Sequence, residues 1–226
     1  MSARDFDALE RRLMHRFARP QTLERALTHS SYARQSGGND NERLEFLGDR
    51  VLGLVVADLV LDGFPDAPEG QVAKRHAVLV QKNTLAVIAG RIELATDLKL
   101  SSGEEEQGGR ANPGILADAM EAVIGALYLD GGLAVARRFI EQAWGDLVEA
   151  MSEAPQDAKT SLQEWAQARG KKLPVYEVMH QKGPDHDPVF TVRVFVEGLE
   201  PATAEAPSKR AAEKLAAQKL LDVIGS

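Results

Sequence analysis

Apolar residues recur every three or four positions through the first two thirds of the chain, and at every second position in one later stretch. Phe6, Leu9, Leu13 and Phe17 mark one face of a helix over residues 5–17, and Pro20 separates it from a short helix over 22–28. Ser36-Gly37-Gly38-Asn39-Asp40 reads as a loop, with Asn39 to Asn41 supplying the N-cap of a long helix. That helix stays apolar through Leu54, Val55, Val56, Leu59 and Val60 until Gly63-Phe64-Pro65 stops it. A further helix opens at residues 66–70 and runs to Ala89, with Val72, Leu79, Leu85 and Ile88 inward and Lys74, Arg75, Lys82 and Arg91 on its wetter faces. Leu100 to Arg110 is a polar, glycine-rich loop. The stretch from Ile115 to Leu129 is apolar on every side except at Asp118 and Glu121, the pattern of a buried helix. Gly131-Gly132 closes it, and a last helix with Ile140, Ala143, Leu147 and Val148 inward runs to about Met151.

No strand-like alternation occurs before residue 155, so the first domain, residues 1–151, is expected to be all-α. Residues 152–157 read as a linker. In residues 158–226 the texture changes to helix, strands and helix. Phe190, Val192, Val194 and Val196 alternate as in a half-buried strand, and Pro207 suits the first position of the final helix.

The polar residues of two helices carry the candidate chemistry. At about 100° per residue, Glu42, Glu45 and Asp49 fall within about 60° of one another, while Leu44, Leu47 and Val51 lie at roughly 140–200° on the buried side. Phe46 projects only about 40° from Glu42, beside the acids, where a large ring calls for a second surface. Asp118 and Glu121 repeat the acidic spacing inside an otherwise apolar helix. Buried carboxylates need a partner or a cation, and few basic residues are near them in sequence. A cation shared between the two helices answers both needs. Hard oxygen ligands at this spacing suit Mg²⁺, with Mn²⁺ as a substitute.

Composition narrows the setting. Without cysteine there are neither disulfides nor zinc-thiolate sites. No run approaches eighteen apolar residues and the N-terminus has no apolar signal core, so a cytoplasmic protein without a membrane partner is expected. The net charge of −7 at first argues against a nucleic-acid partner. From residue 156 onward, however, basic and acidic residues balance, so the whole excess lies in the first domain, around the acids.

Asn41-Glu42-Arg43-Leu44-Glu45-Phe46-Leu47-Gly48-Asp49 resembles the signature of the ribonuclease III family, and Asp118-Ala119-Met120-Glu121-Ala122 resembles its second acidic motif. The similarity extends over nearly the whole chain, including Ala26-Leu27-Thr28-His29-Ser30-Ser31-Tyr32. The region after residue 155 resembles the α-β-β-β-α double-stranded-RNA-binding fold. The resemblance implies a homodimeric, Mg²⁺-dependent endoribonuclease that cuts double-stranded RNA to 5′-phosphate and 3′-hydroxyl ends with short 3′ overhangs, acting in rRNA and mRNA processing. On it, Asp49 and Glu121 are catalytic, Glu45, Asp118 and Glu121 hold metal, Glu42 and Glu69 are auxiliary, and Phe46 lies in the dimer interface. Gln163, Glu164, His186, Lys209 and Arg210 match RNA-contacting positions, with Lys214 one turn on. His29 is read as structural. In one departure, Ala202 to Pro207 lacks the glycines that relatives tend to place ahead of the lysine pair, and Glu205 there opposes phosphate. The alternatives are a protein that binds double-stranded RNA without cutting it, and a phosphohydrolase of small molecules that would leave the last 70 or so residues without a purpose.

Overall fold

The computed structural model describes residues 6–151, 158–184 and 188–224. The chain divides into two compact units, Met1–Pro155 and Gln156–Ser226.

The first unit is helical: α1 Asp7–Leu13, α2 Pro20–Ala26, α3 Ser30–Ser36, α4 Glu42–Gly63, α5 Glu69–Leu79, α6 Lys82–Arg91, α7 Ser102–Glu106 and α8 Pro113–Glu149. Extended pairing among its described residues amounts to an isolated bridge between Thr28 and Lys99. Gly132, at φ 75°, interrupts α8 where the two glycines were read as a helix end. The core is built around α4 and α8, whose Val51, Leu52, Val55 and Val56 meet Met120, Val123, Ile124 and Leu127, all buried. By length and composition α8 could cross a membrane. Here its apolar sides are taken up by α2, α4 and α6.

Two glycines set how closely these helices cross. A Cβ on Gly48 would lie 1.7 Å from the Glu121 carbonyl oxygen, and one on Gly125 would lie 2.3 Å from that of Leu44. No side chain other than hydrogen fits at either position, so the backbones touch there. That contact brings the acidic stripe of α4 alongside Asp118 and Glu121.

Elsewhere the chain departs from its periodicity. The apolar pattern predicted one helix from about residue 70 to Ala89, but it breaks at Val80 and Gln81. The Leu79 carbonyl accepts from the buried Trp144 indole at 2.9 Å, and that of Val78 from Thr84 Oγ1 at 2.6 Å. The carbonyls a break would orphan are thus satisfied by partners 65 and 6 residues away. Arg75, expected on a wet face, is buried, its Nε donating to the Met151 carbonyl and its guanidinium lying 4.0 Å from the centre of the Phe64 ring. The first helix is shorter than expected, because Met14 turns left-handed (φ 52°) and Phe17 reaches the core from beyond it. Residues 30–36 form an extra helix, α3, whose N-cap is His29, with Nδ1 accepting from Ser31 N–H. The polar loop after Leu100 contains α7, capped by Ser101.

The second unit holds α9 Ala158–Ala168, β1 Val175–Lys182, β2 Val189–Phe195, β3 Ala202–Ala206 and α10 Lys209–Ile224. The strands form an antiparallel sheet in the order β1-β2-β3, with a bulge at Met179. Val192, Val194 and Val196 point inward as their alternation predicted, and Leu162, Ala166, Ala216, Ala217 and Leu220 of the two helices help close the core. The glycine-poor segment is β3 itself, and its Glu205 accepts from Thr191 Oγ1 across the sheet at 2.8 Å. Pro207 stands just before α10 and not within it, and Ser208 Oγ accepts from Ala211 N–H at 3.2 Å.

Candidate active site

Helix α4 rises from Asn41, with Asp40 Oδ1 accepting from Glu42 N–H at 3.3 Å. Its first two turns present Glu42, Glu45, Phe46 and Asp49 to an open pocket of about 510 Å³, completed by Asp118 and Glu121 of α8. Glu45, Asp118 and Glu121 offer carboxylate oxygens within 4.8 Å of one another. Asp49 lines the same pocket but pairs with its neighbour Arg50, outside that close group of three. Glu42 lines the rim. Glu69, at the start of α5, is exposed and does not line the pocket.

Electrostatics mark the same place. Burial, and then the charges of Asp49, Glu45 and Asp118, push the Glu121 carboxyl up to about 7. Burial followed by Asp118 also raises Glu45. Three carboxylates this close repel one another unless a proton or a cation intervenes. One partner escaped the sequence reading: Lys82 Nζ donates to Asp118 Oδ1 at 2.8 Å. It stands 36 residues away, and no spacing rule links the two. The hydrogen bond to Asp118 is the foremost cause that raises the Lys82 ammonium.

A pH dependence follows for the metal-free chain. Glu121 binds its proton more tightly folded than unfolded, where its value is 4.5. Its stabilising contribution is therefore complete below pH 4.5 and lost as pH rises through about 7. Calorimetry in a chelator is expected to show Tm falling across that window, and Glu121→Gln is expected to flatten the fall. An unchanged slope in the variant would remove Glu121 as its source.

Residues 19–146 match the family described as Ribonuclease-III-like, and residues 158–224 match the double-stranded RNA binding motif. The Ribonuclease 3 of a Jannaschia species is 50% identical over 97% of this chain and 96% of its own length. This chain belongs to the ribonuclease III family. The Ribonuclease 3 of Caulobacter vibrioides is 48% identical over 96% of the chain. Among solved structures, the nuclease domain of ribonuclease III from Campylobacter jejuni superposes with a TM-score of 0.58 at 39% identity, covering 62% of this chain and 99% of that domain. The fold of a ribonuclease III, a helical nuclease domain followed by a double-stranded-RNA-binding domain, is thus the fold described above.

In the second unit, Gln163 and Glu164 lie on the exposed face of α9, while Lys209 and Arg210 are exposed in the first turn of α10, with Lys214 one turn on. The two helices pack together, joined by an ion pair from Lys159 to Glu213 at 2.6 Å. His186 lies outside the described residues.

Proposed function

We propose how this double-stranded-RNA endoribonuclease works: its acidic pocket would hold divalent cations for the hydrolysis of phosphodiester bonds, leaving 5′-phosphate and 3′-hydroxyl ends. The observation that carries this is the convergence of Glu45, Asp118 and Glu121 from two helices to within 4.8 Å. Hard carboxylate oxygens with room for retained waters fit Mg²⁺, or Mn²⁺ in its place. A cation held there would supply an activated water and stabilise charge on the departing 3′-oxygen. Glu45, Asp118 and Glu121 would hold it. Asp49, paired with Arg50, and Glu42 complete the acidic lining of the pocket. In the second unit, the cationic first turn of α10 and the polar face of α9 suit the phosphates and 2′-hydroxyls of an A-form duplex, which is read by shape and not by sequence.

The test is a paired RNA duplex of about two helical turns incubated with the chain in Mg²⁺ and in excess chelator. Cleavage confined to Mg²⁺, with 5′-phosphate on the products, is expected. Cleavage undiminished by chelation would overturn the metal reading, and duplex binding with no cleavage in either Mg²⁺ or Mn²⁺ would favour a binding protein. Processing of ribosomal and messenger precursors in the cytoplasm is the setting we infer.

A homodimer belongs to the same proposal. Phe46, Leu54 and Leu61 are 66%, 53% and 54% exposed on one side of α4. They fall within about 80° of one another, an apolar stripe unusual on a solvated helix. The work on the Campylobacter jejuni nuclease domain concerns a region involved in dimer formation, which supports the reading. Paired protomers would place two acidic pockets on one duplex and give the short 3′ overhang. Phe46→Asp is expected to shift the native dimer to monomer in sedimentation velocity. A variant that still sediments as a dimer would remove Phe46 from the interface.

A further inference from the structure

We infer that Lys82 is an internal place-holder for the divalent cation, holding Asp118 in the metal-free chain and competing with the metal for it. The inference rests on the metal reading of the acidic pocket given above. Among the described residues, Lys82 is the one cation bonded to any of Glu45, Asp118 and Glu121. Its bond to Asp118 Oδ1 spans 2.8 Å, a short charge-assisted contact.

The position of Lys82 is fixed by tertiary structure. It is the first residue of α6 because the chain breaks at Val80 and Gln81, and that break is anchored by Trp144 on the Leu79 carbonyl and by Thr84 on that of Val78. The side chain is 66% exposed, so the pair adds little to stability. Its consequence lies in occupancy. One ammonium supplies a single positive charge to three carboxylates, keeping them together without satisfying them. A dication entering that group meets the ammonium at close range and must take Asp118 from it. With Lys82 displaced, the whole acidic set is open to the metal. Removing the lysine therefore tightens metal binding, by about tenfold at low ionic strength for a unit charge a few ångströms from a dication in water.

The experiment measures Mn²⁺ binding to the full chain without RNA, by isothermal titration calorimetry at low salt, for the native protein, Lys82→Met, Lys82→Arg and Glu121→Gln. Lys82→Met is expected to bind about tenfold more tightly, Lys82→Arg like the native chain, and Glu121→Gln more weakly. Equal or weaker binding by Lys82→Met, with Glu121→Gln still impaired, would overturn the place-holder and leave the metal site standing. Equal binding by the native chain and Glu121→Gln would remove the site itself, and the place-holder with it. As a second readout, saturating Mn²⁺ should raise the Tm of Lys82→Met more than that of the native chain. An equal rise in the two would count against the competition.

Discussion

Replacing Gly48 with alanine is expected to lower stability by about 3 kcal/mol or more, a fall in Tm on the order of 10 °C. The added methyl would sit 1.7 Å from the Glu121 carbonyl oxygen, against backbone that has no rotamer in which to retreat. The only relief is separation of α4 from α8 at the point where their acids meet. Activity should thus fall further than the loss of folded protein explains, because Glu45 would move away from Asp118 and Glu121. Gly125→Ala, whose Cβ would stand 2.3 Å from the Leu44 carbonyl oxygen, should behave alike. Gly53 supplies the control within α4: a Cβ there meets only His76 Nε2 at 3.9 Å. Gly53→Ala should be neutral or raise stability by about 0.5–1 kcal/mol, the ordinary gain of alanine over glycine in a helix. Thermal unfolding of the three variants checks this, and a native Tm for Gly48→Ala would refute the close crossing.

The second large effect is expected at Glu121. Substitution by alanine or glutamine should reduce the single-turnover cleavage rate at least about a hundredfold, since even residues that only support a metal ligand commonly cost ten to a hundredfold. Duplex affinity should change little, because the residues that match the double-stranded RNA binding motif, and the RNA contacts proposed on α9 and α10, belong to the other compact unit. Gel-shift measurement in chelator, alongside the cleavage assay, separates the two quantities. Native-like cleavage by Glu121→Ala would take Glu121 out of the chemistry. Loss of binding and cleavage together would mean that the substitution acts through folding. Glutamine should cause less structural disturbance than alanine, because it keeps the volume of the side chain and removes the charge that burial and Asp49 oppose.

Much of this protein is legible in its residues. Helical periodicity identifies the buried sides of α4 and α8, and alternation identifies β2, because those patterns record which side of an element leaves water. The five acids stand at spacings that place them on one face of each helix, and their motifs resemble one family over nearly the whole chain. Local rules also find the helix end at Gly131-Gly132.

What periodicity does not contain is the identity of the partner surface. The break at Val80 and Gln81 has no proline or glycine to announce it, and exists because Trp144 accepts the role of donor to Leu79 from another part of the chain. Arg75 is polar by type yet buried, because the Met151 carbonyl and the Phe64 ring meet its guanidinium. Lys82 reaches Asp118 for the same reason: its neighbours in space are far from it in sequence. Gly48 stands in full view within the family signature, but the need for glycine there is steric and involves a carbonyl 73 residues away. Residue type and order thus determined the long helices α4 and α8, the alternating strand β2 and the positions of the acids, but not α3, α7 or the break between α5 and α6. The tertiary structure alone decided how closely the two acidic helices cross and which lysine bonds to Asp118, because distances between elements depend on backbone contact and on hydrogen bonds that close only in the folded chain.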